Sequence, residues 1–296
     1  MKTSAPLINR RQMIARAATT AAALALGKQF APLLAAPEKR RFKIGACDWS
    51  IGKQGDVSGM ELAKKIGLDG LQVSLGTEAD DMKLRKKELQ QQYLEVAKKH
   101  EVEVASLAIG ELNNIPYKSD PRTEQWVSDS IDVCQGLGTK VILLAFFHKN
   151  DVKRDQAGTD EVVRRLKKVA PKAEKAGVIL GFESWLSAEE HLDIIQRVGS
   201  SAVQVYYDVA NSTQMGYDIY KEIRWLGRKH ICEFHMKENG FLLGQGKVDF
   251  QKVREAMDEI GYTGWMQIEG AVPSGQPMFE SYVANRKFLR TVFKEG

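Results

Sequence analysis

Four side chains that can bind a metal ion or move a proton stand at the polar ends of four consecutive apolar segments. They are Glu183, Asp208, His235 and Glu269, at separations of 25, 27 and 34 residues. Three carboxylates brought together would repel one another and raise each other's pKa, and a divalent cation removes that repulsion. Three oxygen donors and one imidazole suit Mn²⁺, Mg²⁺, Co²⁺ or Zn²⁺. We therefore predict one divalent metal ion bound by these four residues.

The segments that carry these residues belong to a pattern that repeats from residue 42 onward. Short apolar runs alternate with longer amphipathic segments rich in Lys and Glu. The runs cover residues 43–49, 70–75, 102–109, 141–147, 178–183, 203–208, 231–237 and 264–269. Nearly continuous apolar character is typical of strands buried on both faces. The pattern predicts an α/β fold made of eight strand–helix units.

Eight such units without an inserted domain predict a single closed (β/α)₈ TIM barrel. A doubly wound open sheet is the alternative, but no strand is followed by the GxGxxG turn that is typical of it. In a barrel, active-site groups project from the C-terminal ends of the strands, which is where the four candidate residues lie.

The first 36 residues have the features of an export signal. Arg10 and Arg11 precede an uncharged, Ala- and Leu-rich stretch at residues 17–26, and small residues follow before residue 37. That stretch is too short for a bilayer of roughly 30 Å. We predict a Tat-type signal peptide over residues 1–36, the barrel over residues 37–296, and a periplasmic or otherwise exported location. No later run is long enough to span a membrane, so we expect no stable membrane span after signal removal.

Charge and cysteine content exclude several other classes of protein. Residues 37–296 carry 38 basic and 38 acidic side chains, so this part lacks the positive field that attracts nucleic acid. The three cysteines lie far apart, which argues against a disulfide framework and against a cysteine-based metal site. We expect no nucleic-acid partner, and an oligomer is compatible with this composition.

From about residue 42 to its end, the sequence resembles the xylose-isomerase-like TIM barrels, the sugar phosphate isomerase/epimerase group that includes tagatose and psicose epimerases. The resemblance is carried by GFE at 181–183, DVAN at 208–211, HMK at 235–237, GQGKVDF at 244–250 and QIE at 267–269. It implies that the four strand-end residues bind one metal ion. It also implies that Glu183 and Glu269 are catalytic: one removes a proton next to a carbonyl and the other returns it.

The resemblance therefore implies a metal-dependent sugar isomerase or epimerase acting on a small carbohydrate. The export signal and the lack of an evident phosphate cradle favour an unphosphorylated substrate. At three places, epimerases of the family often carry Asn-His, His and Glu where this sequence has Ser184-Trp185, Asn211 and Gln245. Together with export, these differences leave open a second chemistry at the same metal site, a 3-keto-glycoside lyase or hydratase with Glu269 or His148 as acid.

Several further side chains are candidates for binding the substrate. Lys237 lies two residues after His235 and so points to the same side of the strand. Asn211 belongs to the DVAN motif, and His148 and Trp185 follow the fourth and fifth strands. An aromatic ring such as that of Trp185 can pack on the C–H face of a sugar. Glu111, after the third strand, and Gln72, on the second, are candidates for the rim of the barrel.

Two other classes of protein are less favoured. A non-catalytic sugar-binding barrel would need no metal ion. A phosphoesterase like endonuclease IV would need several more histidines than the five in this chain.

Overall fold

The structure, a computed structural model, describes residues 41–294. The predicted signal peptide and the boundary at residue 37 lie outside the described residues and stay predictions. Within the described range, eight parallel strands form a closed barrel in chain order, so the predicted TIM barrel is confirmed. The strands are β1 Phe42–Cys47, β2 Gly70–Ser74, β3 Glu103–Ile109, β4 Val141–Phe146, β5 Ile179–Ser184, β6 Val203–Asp208, β7 Ile231–Met236 and β8 Gly264–Ile268.

Helices connect each strand to the next and cover the outside of the barrel. They are α1 Gly59–Ile66, α2 Lys87–His100, α3 Arg122–Leu137, α4 Gln156–Ala176, α5 Ala188–Val198, α6 Val209–Gln214, α7 Ile219–His230, α8 Phe250–Glu259 and α9 Met278–Val292. Helices α6 and α7 both lie between β6 and β7, and α7 is interrupted at Gly227. None of the helices in the described range is both long and apolar enough to cross a membrane.

Local sequence signals explain where the helices begin and end. Gly138 and Gly177 follow α3 and α4 with φ of 71° and 65°, a left-handed conformation that glycine adopts without a Cβ clash. Helix α5 begins with a capping box, in which Ser187 accepts from the backbone of Glu190 and the Glu190 side chain accepts in return. These residues fix where each of the three helices begins or ends.

Strand register sets the height of the candidate residues in the barrel. Asp208 at the end of β6 is paired with His235 of β7, and His235 is paired with Gln267 of β8. Strand β8 closes the barrel by pairing with β1 from Phe42 to Ala46. Because neighbouring strands hold these residues in register, their side chains meet at the C-terminal end of the barrel.

The interior of the barrel below that end is unusually polar. Its side chains include Cys47, Gln72, Ser106, Tyr206, Glu233 and Gln267, all of them buried. Gly45 leaves room for this layer, because a Cβ atom there would lie 2.0 Å from Oε1 of Gln267. Buried polar atoms are costly unless they are hydrogen-bonded, so the contacts within this layer determine how its side chains are oriented.

Candidate functional site

The structure brings the four strand-end residues together at the C-terminal end of the barrel. Glu183 lies in β5, Asp208 ends β6, His235 lies in β7 and Glu269 follows directly after β8. Each offers one donor atom, and the four donor atoms all lie within 4.8 Å of one another. We call these residues the four-residue cluster. Such a spacing suits donors arranged around a single ion.

Histidine 235 contacts two of the other three residues of the cluster. Its Nδ1 atom lies 2.7 Å from Oε1 of Glu183 and 3.6 Å from Oε2 of Glu269. Burial alone would lower the pKa of His235, but the charges of Glu183 and Glu269 raise it well above its usual value. The imidazole therefore lies in a strongly negative environment.

One oxygen of Asp208 lacks a hydrogen bond. Oδ1 accepts from the backbone N–H groups of Ala210 and Asn211 at 2.8 and 2.9 Å and so caps α6. The buried Oδ2 has no hydrogen-bond partner among the described residues, and Nζ of Lys237 is 3.6 Å away. A buried carboxylate oxygen left in this state is costly. This orphaned atom within the cluster fits a bound cation.

Glutamate 269 is held at both oxygens. Nζ of Lys237 lies 2.7 Å from Oε2, and Nε1 of Trp49 donates to Oε1 at 3.0 Å. Burial alone would raise the pKa of Glu269, but Lys237 and His235 lower it below the usual range. This carboxylate is therefore ionised at neutral pH and fixed in direction.

The pKa values of the other two carboxyl groups of the cluster are shifted in the opposite direction from that of Glu269. Burial raises the pKa of both Glu183 and Asp208. The three acidic groups face one nearby ammonium, that of Lys237, so the fully ionised cluster carries an excess of negative charge. A divalent cation is the partner that such a donor set favours.

A cavity of about 510 Å³ opens above the cluster and includes Glu183, Lys237 and Glu269 in its lining. The residues that the sequence suggests for substrate binding all line it, namely His148, Lys237, Asn211, Trp185 and Glu111. The lining also includes polar residues that sequence reasoning missed: Gln54, Ser74, Thr77, Asn113 and Asn114. They lie in loops, at the end of β2 or at the end of a short 3-10 helix, where no periodic pattern marks a residue as functional.

Aromatic rings form one wall of this cavity. The Trp185 ring packs edge-on against Phe147 and His148, with centroid distances of 5.2 and 5.7 Å. The backbone carbonyl of Trp185 accepts from the Tyr217 hydroxyl at 3.0 Å. Because its loop is anchored in this way, the indole offers a fixed face on which a sugar ring can pack.

Glutamine 72 is not at the rim of the barrel, and that expectation is wrong. Its side chain is fully buried below the cluster, with Oε1 3.1 Å from Nε2 of His235. Sequence reasoning also missed Cys47 and Glu233, which lie in the same buried layer. A signal was present for Glu233, because it precedes His235 by two residues and so points to the same face of the strand.

Comparison with known proteins places this geometry in a family. The chain belongs to the xylose isomerase-like TIM barrel family, whose model matches residues 60–292. It is similar to 2-epi-5-epi-valiolone 7-phosphate 2-epimerase of Actinoplanes sp., with 24% identity over 195 residues, 64% of this chain and 72% of the relative. The family resemblance noted in the sequence is confirmed.

Two solved structures of named epimerases share the fold. D-psicose 3-epimerase from Clostridium cellulolyticum H10, solved with D-tagatose, has a TM-score of 0.72 and 18% identity, covering 86% of this chain and 100% of that one. The apo form of 3-keto-D-glucoside 4-epimerase from E. coli has a TM-score of 0.67 and 15% identity, covering 84% and 99%. At these identities, the likeness is one of fold.

Proposed function

We propose that this chain is a divalent-metal-dependent sugar isomerase or epimerase that moves a proton next to the carbonyl of an unphosphorylated carbohydrate. The observation that carries the proposal is the four-residue cluster, whose donor atoms lie within 4.8 Å of one another beside a cavity of about 510 Å³. Membership of the xylose isomerase-like family and the similarity to sugar epimerases support sugar chemistry at this site.

Glu183, Asp208, His235 and Glu269 would hold the metal ion. Their donor set and the orphaned Oδ2 of Asp208 fit such an ion. A bound divalent cation would act as a Lewis acid toward the substrate carbonyl, which makes the neighbouring C–H group more acidic.

The chain's own carboxyl groups would carry the proton. Glu269 is ionised and held in direction by Trp49 and Lys237, which suits a group that removes a proton from carbon. Glu183 lines the same cavity, and a carboxylate that binds the ion through one oxygen keeps the other oxygen for returning the proton. Removal at one face and return at the other inverts the carbon, whereas return to the neighbouring carbon isomerises the sugar.

The cavity lining supports a substrate without a phosphate group. Among the described residues that line the cavity, Lys237 is the only lysine or arginine. Its ammonium is already engaged by Glu269 at 2.7 Å and lies 3.6 Å from Asp208. The N-terminus of α6, which would favour an anion, is capped by Asp208. A phosphate would therefore find little positive charge here.

A second candidate function is a 3-keto-glycoside lyase or hydratase that uses the same metal site. The cavity extends beyond the cluster to His148 and to Glu111 after β3. In this reaction, Glu269 would again remove the proton next to the keto group, and His148 would protonate the departing group. The shared fold with a 3-keto-D-glucoside 4-epimerase is compatible with this alternative.

Deuterium exchange tests both candidates. The chain is incubated in D₂O with Mn²⁺ and D-fructose, D-psicose or a 3-keto-glucoside, and incorporation is followed by NMR. We expect one carbon-bound hydrogen to exchange, and a chelator to stop the exchange. Release of the aglycone with the keto-glucoside would favour the second candidate. Absence of exchange with all three substrates, or exchange that a chelator does not affect, would contradict the proposal.

A variant identifies the base. Glu269→Gln should slow exchange by about 100-fold or more, since general base catalysis contributes on that scale. Glu259→Gln is the matched control, because Glu259 forms an exposed ion pair with Arg224. Equal rates in the two variants would show that Glu269 is not the base.

We also propose that the chain is exported by the Tat route. The proposal is supported by Arg10 and Arg11 ahead of the uncharged stretch. Residues 1–36 lie outside the described residues.

A further inference from the structure

We propose that Gln72 is a positioning residue that fixes the tautomer of His235, so that Nδ1 presents its lone pair to the metal ion. This inference rests on the proposed function only in that it takes His235 as a metal ligand. Gln72 lies on β2 and His235 on β7, and both side chains are fully buried.

The contact between the two residues joins their polar ends. Oε1 of Gln72 lies 3.1 Å from Nε2 of His235. The amide nitrogen of Gln72 donates to the Ser106 hydroxyl and to the Tyr206 hydroxyl, each at 3.0 Å. Both the nitrogen and the oxygen of the Gln72 amide therefore have partners. The orientation of the amide decides whether His235 faces its carbonyl oxygen or its NH₂ group.

The direction of the amide follows from the next contacts in the layer. The hydroxyls of Ser106 and Tyr206 donate to Oε2 of Glu233 at 2.9 and 3.0 Å. A hydroxyl has one proton, so each of these groups can only accept from Gln72. The NH₂ group of Gln72 must then face the hydroxyls, and its carbonyl oxygen must face His235.

A carbonyl oxygen can only accept, so Nε2 of His235 carries a proton and donates it to Gln72. The Cys47 thiol, 3.3 Å from Nε2, lies 3.2 Å from the same carbonyl oxygen and donates to it, so it does not compete for the lone pair of the imidazole. The lone pair that a cation needs can therefore arise only at Nδ1. Nδ1 is the atom that faces Glu183 and Glu269.

The same contact holds the imidazole plane. A ring bonded at Nε2 and facing the cluster at Nδ1 cannot rotate without breaking the Gln72 bond. Partners that hold a metal-binding histidine in this way typically change metal affinity by about 10- to 100-fold when they are removed.

The test compares two glutamines of the same buried layer. Gln72→Met keeps the approximate size of the side chain and removes the acceptor for His235. Gln267→Met is the matched control, because Gln267 is also fully buried and donates to Glu233, at 3.4 Å. Thermal unfolding of the metal-free proteins measures the general cost of each substitution, and competition with a chelator measures the Kd for Zn²⁺.

We expect Gln72→Met to weaken Zn²⁺ binding by about 10- to 100-fold and Gln267→Met by less than about 3-fold. Equal affinities in the two variants would overturn the proposal for Gln72. If the wild type binds neither Zn²⁺ nor Mn²⁺, both the proposed function and the role of Gln72 fail, whereas equal affinities of the two variants contradict only the role of Gln72.

A spectroscopic measurement on the wild type does not depend on how the variants fold. In the Zn²⁺-loaded protein, ¹⁵N NMR of His235 should show a proton on Nε2 and none on Nδ1, with the Nε2–H protected from solvent exchange. A metal-bound Nε2, or an Nε2–H that exchanges as fast as that of an exposed histidine, would overturn the proposal.

Discussion

Lys237 forms an ion pair with Glu269, with Nζ 2.7 Å from Oε2, at the floor of the cavity. Lys237 follows directly after β7 and Glu269 follows directly after β8. The pairing of these two strands therefore holds the ion pair together. The pair keeps the proposed base ionised in a buried site, because the ammonium opposes the effect of burial on the pKa of Glu269.

Removing the ammonium should change the pH dependence of catalysis. In Lys237→Met, we expect the pKa of Glu269 to rise, because the cation that lowers it is absent. The base would then be protonated at higher pH, so the low-pH limb of deuterium exchange moves to higher pH. The measurement is the exchange rate between about pH 4 and pH 9. Lys252→Met, which removes a cation from an exposed pair with Asp249, is the control; an identical profile in both variants would contradict the prediction.

Metal binding should weaken as the pH falls. Burial raises the pKa of Glu183 and Asp208, so protons compete with a cation for these oxygens above the usual carboxyl range. We expect the rise in Tm caused by Mn²⁺ to be larger at about pH 8 than at about pH 5. Thermal unfolding with and without Mn²⁺ measures the effect, and Asp208→Asn should reduce it at both pH values. A larger rise at the lower pH would argue against carboxylate ligands.

The aromatic wall should contribute to substrate binding rather than to chemistry. Trp185→Ala removes the anchored indole beside the cavity, and we expect KM to rise roughly 3- to 10-fold with little change in kcat. Trp225→Ala is a control with the same substitution, because Trp225 is 57% exposed and is not among the residues that line the cavity. A fall in kcat with unchanged KM in Trp185→Ala would place the indole in the reaction instead.

Export should depend on the paired arginines. When Arg10 and Arg11 are both replaced by Lys, the charge is unchanged but the Tat motif is lost. We expect the chain to accumulate uncleaved inside the cell, as measured by fractionation and intact mass. Arg16→Lys, in the same segment, should be exported normally. Export of the double variant at the normal rate would show that another route is used.

The barrel itself was predictable because each strand is an apolar run with a polar end. The four-residue cluster followed, since residues at the C-terminal ends of parallel strands must meet at one mouth. The buried layer beneath was not predictable. The contact between Gln72 and His235 joins residues 163 positions apart, and a polar side chain in an apolar run can point inward or to the rim. The depth of such a side chain in the barrel depends on strand register and tilt, which the sequence alone does not show.

The hydrogen bonding of β8 to β1 has a consequence for biosynthesis. A ribosome must synthesise the whole segment from β1 to β8 before these two strands can pair. Until then Glu269 cannot join Glu183, Asp208 and His235, so the candidate metal site is incomplete in a nascent chain. The site is therefore assembled late in the synthesis of the barrel.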